Sequence, residues 1–191
     1  MFNRIILAGS AAILALSAPA MAQMATQTTG MATSADVGVE PMAAIPAGDY
    51  VKMAAASDQY EIQAARLALT KSSRPDVKSY ARMMIEAHTA SSKTLMAALS
   101  NSERKIARPS TKLDTEGASN ISLLRKAPKG GFDNLYLTQQ TQAHQKAWAL
   151  HKGYALNGTD PALKQVAAGL VPTIEQHLAQ AKALTPAGMA G

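Results

Sequence analysis

Along four long stretches of the chain, small and apolar side chains return every three or four residues, the period of helices that bury one face. In the first stretch Tyr50, Met53, Ala54, Ser57, Glu61, Ala64 and Ala68 fall on one narrow face of a helix predicted over 51–71, with Asp49 placed to cap it. Ser72-Ser73-Arg74-Pro75-Asp76 then breaks the period. Ser73 and Asp76 form a capping pair, and Pro75 suits a first helical turn. A second helix follows to about residue 100, with the stripe Val77, Ala81, Met84, His88, Ser91, Leu95 and Leu99. So short a turn makes the two helices antiparallel neighbours. A third helix is predicted over 132–156 and a fourth from Pro161 to about Leu184. Asn157-Gly158-Thr159-Asp160-Pro161 between them reads as a stop followed by a cap. Leu163, Leu170, His177 and Leu184 recur seven apart on the fourth helix, and Pro172 inside it is expected to kink it by removing a backbone donor.

Residues 101–131 do not continue this pattern. Pro109, Ser110 and Thr111 mark a loop, and Leu113, Ile121, Leu123 and Leu124 outline a short amphipathic helix over 113–126 before Pro128, Gly130 and Gly131. A connection of about thirty residues is long for a helical hairpin and can cross the full length of the fold, leaving the second and third helices parallel. Four helices of about 22–26 residues each span roughly 33–39 Å. No stretch alternates as a strand does. The fold class read from the pattern is all-α: a four-helix bundle over 48–185, with a long crossover carrying a short helix between helices 2 and 3.

The N-terminus has a different character. Arg4 precedes an apolar run over 5–16, too short to span a bilayer, and Pro19 and Ala20-Met21-Ala22 follow it. The expectation is a signal peptide, residues 1–22, cleaved after Ala22 to send the chain to the periplasm. No cysteine follows the run, which closes the lipoprotein route. Residues 23–47, rich in Ala, Thr, Met, Ser and Gly, read as a disordered leader, and 186–191 as a flexible tail. Met24, Met31, Met42 and Met53 are too irregularly spaced to outline a soft-metal tract.

Composition narrows the chemistry further. With no cysteine in the chain, disulfides, thiol catalysis and thiolate metal sites are all excluded. The net charge is +6. The basic residues are scattered, with a denser segment over 104–129, and few aromatics lie among them. That argues against a stacking nucleic-acid platform and leaves a solvated basic face or weak contact with an anionic envelope surface. Nucleophile, phosphate-loop and paired-carboxylate motifs are not found, so neither an enzymatic activity nor a cofactor is named.

What remains is a set of polar residues on otherwise apolar stripes. His88 and His177 interrupt theirs, His144 and His151 share a face of the third helix, and Glu61 sits among small residues. A buried carboxylate is costly unless paired or bound to a cation. Counting 1.5 Å per residue from the helix ends puts Glu61 and His144 about 18 Å, His88 about 22 Å and His177 about 24 Å along their helices, all near mid-height. Two readings stay open. In one, Glu61, His88, His144 and His177 hold a single metal ion. In the other, the histidines hydrogen-bond to Glu61, Tyr60 or Tyr136 and set helix register. A di-iron centre requires Glu-x-x-His on two helices. Glu86 and Glu175 instead precede His88 and His177 by two positions, which is about 200° around a helix.

The segments DQYEIQAARLA, VKSYARMMIEAHT, GGFDNLYLTQQTQAHQ and DPALKQVAAGLVPTIEQHLAQA together resemble the domain-of-unknown-function 4142 family. The resemblance covers about residues 48–185 and carries Glu61, Met84, His88, Phe132, Asp133, Tyr136, His144, Pro172 and His177 as recurring positions. It implies an exported bacterial protein with a ferritin-like helical fold and no settled activity. Members have been labelled as predicted outer-membrane proteins, but this chain has neither barrel strands nor a lipid anchor, so soluble periplasm is expected. His151 has no place in the family pattern. Iron storage does not carry over, because the Glu-x-x-His pairs are missing.

Overall fold

The computed structural model describes residues 30–100 and 105–186. The expected signal peptide and most of the tail lie outside them. Among the described residues the fold is all-α: α1 (Ser34–Val37), α2 (Ala47–Lys71), α3 (Pro75–Ala98), α4 (Thr115–Lys126), α5 (Lys129–Asn157) and α6 (Pro161–Leu184). No helix among them is long and apolar enough to cross a membrane.

Local chemistry sets most of the boundaries. Pro75 and Pro161 occupy first turns, where a missing N–H costs nothing. Asp114 and Asp160 cap α4 and α6 by accepting from the Gly117 and Leu163 amides at 2.7 and 3.0 Å. The sequence-based caps at Asp49 and Ser73 are displaced. Helix α2 starts at Ala47 after Pro46, and α3 follows Arg74 with no side-chain cap. Helix α5 begins at Lys129, three residues ahead of expectation, and α6 is assigned without a break across Pro172.

Side-chain pairs give the directions. Asp58 meets His88 and Ser92 across the α2–α3 turn. Tyr50 meets His151, and Tyr60 meets Gln139, so α5 also runs antiparallel to α2. Helix α3 is therefore parallel to α5, and the connection between them crosses the height of the fold as its length implied. Helix α6 runs antiparallel to α3, with Tyr80 near His177 and Arg74 near Leu184. The crossover helix α4 buries Ile121 and Leu124 in the core cluster of Tyr60, Val77, Met84, Phe132 and Tyr136. Its C-terminal carbonyls are gathered by one ammonium: Lys71 Nζ donates to the carbonyls of Leu124, Arg125 and Ala127 at 3.0, 2.6 and 3.0 Å.

Residues 30–46, expected to belong to a disordered leader, are packed as a strap over α5 and α6. Thr33 and Asp36 make a reciprocal capping box for the single turn α1. Val37 enters a cluster with Trp148, Val171, Ile174 and Leu178. Gly38 turns the chain at φ 85°, a conformation that favours glycine. Beyond it the Met42 amide donates to the Ala149 carbonyl at 2.9 Å. A Cβ on Gly153 would stand 2.0 Å from the Met42 carbonyl oxygen, so only glycine allows this approach. One buried valine, the partly buried Val39, Met42 and Ile45 and a few backbone contacts leave no hydrophobic period, which is why the strap does not show in the sequence.

Candidate metal centre

Near mid-height each of the four long helices contributes a buried polar side chain to one cluster, Glu61 from α2, His88 from α3, His144 from α5 and His177 from α6, and Asp58, Gln139, Gln140 and His151 are buried on α2 and α5 as well. Within the cluster Glu61 and His144 are buried to 1% exposure. The imidazole centroids of His88, His144 and His177 stand 5.3–5.9 Å apart. One ligand nitrogen from each lies within 4.8 Å of the others. The convergence expected from counting turns is thus present for the three histidines, and Glu61 Oε1 reaches to 3.9 Å from His144 Nδ1.

The hydrogen bonds define which atoms remain available. His144 Nδ1 lies 2.9 Å from the Gln140 carbonyl, which can only accept, so this nitrogen carries the proton and Nε2 keeps its lone pair. His88 Nδ1 lies 2.8 Å from Asp58 Oδ1 and donates in the same way, while Ser92 Oγ donates to the other Asp58 oxygen at 3.0 Å. Gln140 Nε2 donates to Glu61 Oε2 at 2.5 Å. That leaves His88 Nε2, His144 Nε2, His177 Nδ1 and Glu61 Oε1 buried without hydrogen-bond partners. With its Nδ1 proton engaged, His144 Nε2 is an acceptor, and so is His88 Nε2 when that imidazole is neutral. Each such orphan costs about 1–3 kcal/mol. A cation between the three histidines, which offer ligand nitrogens within 4.8 Å of one another, would satisfy these nitrogens together.

Electrostatics separates the members. Burial pushes the Glu61 carboxyl up to about 7, against the pull of His88 and the Gln140 bond. Burial also holds His144 well below the usual imidazole range, helped by its two histidine neighbours, and takes His177 down to about 3. His88 goes the other way. Burial lowers it, but the Asp58 bond and the Glu61 and Asp58 charges together outweigh that and raise it. His144 and His177 therefore stand neutral, the state a metal requires. The donor set, three imidazoles and one carboxylate, suits Zn or Fe and related divalent ions. In a tetrahedral zinc site neighbouring ligand atoms stand about 3.4 Å apart, so the histidine nitrogens, within 4.8 Å of one another, must close by at most about 1.4 Å.

Glu86 and Glu175 are elsewhere, as the two-residue offset required. Glu86 is exposed, and Glu175 faces the strap, accepting from the Trp148 indole at 3.0 Å, from the Ala32 amide at 3.3 Å and from the Gly30 amide. His151 is buried about two turns beyond His144 on α5, against Tyr50, whose hydroxyl is 3.0 Å from His151 Nδ1. Burial takes it down to about 4. The tyrosines expected as histidine partners do something else. Tyr60 donates to Gln139, and the buried Tyr136 hydroxyl has no partner in the structure.

Residues 32–184 match the family described as Domain of unknown function (DUF4142). The chain belongs to that family. No curated protein and no solved structure matches it. For this member of the family the chemistry must therefore be read from the side chains themselves.

Two participants escaped the sequence reading. Asp58 stands three residues before Glu61, a spacing that puts both carboxylates on one helical face. Gln140 stands four before His144 and binds both His144 and Glu61. Both signals are visible in hindsight, but DxxE and QxxxH spacings are common on solvated helices.

Proposed function

We propose that this is an exported, periplasmic protein whose ferritin-like four-helix bundle holds one divalent transition-metal ion through His88, His144, His177 and Glu61. The observation that carries the reading is the set of four buried side-chain atoms, one from each long helix, that have no hydrogen-bond partner in the protein. A network that only set register would be expected to pair these atoms. Instead the pairing is behind them, where Asp58 and the Gln140 carbonyl hold the far nitrogens of His88 and His144. Partners on the far nitrogen are the usual support of a metal-ligating histidine. Export is supported by Arg4, the apolar run over 5–16 and Ala20-Met21-Ala22.

Metal analysis of tag-free protein purified from cells tests the proposal. About one equivalent of metal is expected, lost in His88→Ala, with a melting temperature raised by Zn, Fe(II) or Cu. Metal-free protein whose melting temperature ignores all three refutes it and returns the cluster to a register role.

A further inference from the structure

The cluster has a closed side and an open side. Glu61 and His144 are sealed, whereas His88 and His177 border a cavity of about 30 Å³. Its remaining walls include Ser57, Ser91, Ala147 and Thr173. Asp58, Ala87, His151, Leu170 and Ile174 complete the lining. Ser57 is four residues before Glu61, Ser91 three after His88, Ala147 three after His144 and Thr173 four before His177. Such spacings put each on the same helical face as its neighbour, one turn away. Because α2 and α6 run one way and α3 and α5 the other, all four displacements point to the same end of the fold. On this side, one turn above the cluster, three hydroxyl side chains and an alanine therefore stand at one level among the walls of the cavity. A ring of leucines there would complete the core. The small polar side chains leave space and supply hydrogen bonds.

We infer that this opening is an access slot: a metal ion held by the four side chains proposed above takes a fifth ligand on the side facing it, and the slot admits a ligand of about one to three non-hydrogen atoms. Hydroxide, a diatomic molecule and a short linear anion fit that space. Organic substrates do not, since their sites run to about 300–1,000 Å³. The three hydroxyls can donate to such a ligand while the metal binds it. The inference rests on the metal reading but makes a separate claim, that the ion is reachable and that reach is limited by size.

The test uses the full chain loaded with Co(II), with Co(II) content measured by elemental analysis and the visible Co(II) spectrum followed during titration with azide or imidazole. A saturable spectral change with azide, and none with imidazole, is expected. Thr173→Leu and Ser91→Leu each fill the slot and are expected to weaken azide binding by about tenfold or more at unchanged Co(II) content. Either variant suffices if the other does not fold. One Co(II) per chain with no azide response overturns the slot and leaves the metal site standing. An imidazole response equal to that of azide, or azide binding unchanged in the leucine variants, also overturns it. Failure to bind Co(II) overturns the metal site itself and is read independently from the elemental analysis.

Discussion

Glu61→Gln separates what the carboxylate does for folding from what it does for metal. In metal-free protein the buried carboxyl is held at about 7, chiefly by desolvation, against an ordinary value of 4.5. A group raised in the folded state contributes stability below its unfolded value and loses it as pH rises through the folded one. The wild type should therefore lose stability on this account between about pH 4.5 and 7. A shift of that size corresponds to about 3 kcal/mol at neutral pH. Glutamine removes the ionisation and keeps the shape. Its oxygen can still accept from Gln140 Nε2, and its amide can donate toward the orphaned histidine nitrogens. With chelator present at pH 7, Glu61→Gln should be more stable than wild type by about 3 kcal/mol, roughly 6–12 °C in melting temperature for a domain of this size. Zn(II) should then reverse the order. Wild type gains about 3 kcal/mol at a hundredfold excess over its dissociation constant, and the variant gains less. Calorimetric melts at several pH values, with and without Zn(II), give all four comparisons. Subtracting the two metal-free profiles gives the Glu61 contribution together with its coupling to His88. A variant less stable than wild type in chelator at every pH would refute the reasoning, because it would mean that the ionised carboxylate is already well paired.

Asp58→Asn should weaken metal binding by about 10–100-fold while the fold is retained, since it replaces the carboxylate that orients His88. Competition with a chromophoric chelator reads the affinity, and an unchanged constant removes Asp58 from the site. Gly153→Ala drives a methyl group onto the Met42 carbonyl and should cost about 1–3 kcal/mol. Faster proteolysis within residues 30–46, seen by mass spectrometry, is the expected sign, and undiminished protection would show that the strap does not depend on that approach. Lys105, Arg108, Lys112, Arg125, Lys126 and Lys129 are all exposed along the crossover. Binding to anionic vesicles should be weak and fall steeply with added salt. Salt-independent binding in a sedimentation assay would exclude a role for this basic face.

The helical period, the short α2–α3 turn and the long connection before α5 are local or one-dimensional properties. They were sufficient for the number of long helices, their directions and the mid-height of His88, His144, His177 and Glu61. The offset of Glu86 and Glu175 was equally legible, because rotation about a helix is arithmetic. What tertiary structure alone decided is which atoms are left over. Asp58 behind His88, the Gln140 amide on Glu61 and the strap that engages Glu175 are contacts between distant segments. Their geometry depends on how the helices rotate against one another, and no single helix encodes that rotation. The strap itself is held by Val37, by the partly buried Val39, Met42 and Ile45, by a glycine-permitted approach and by hydrogen bonds to Glu175, Gln145 and Ala149, features that carry no periodic signal in the chain.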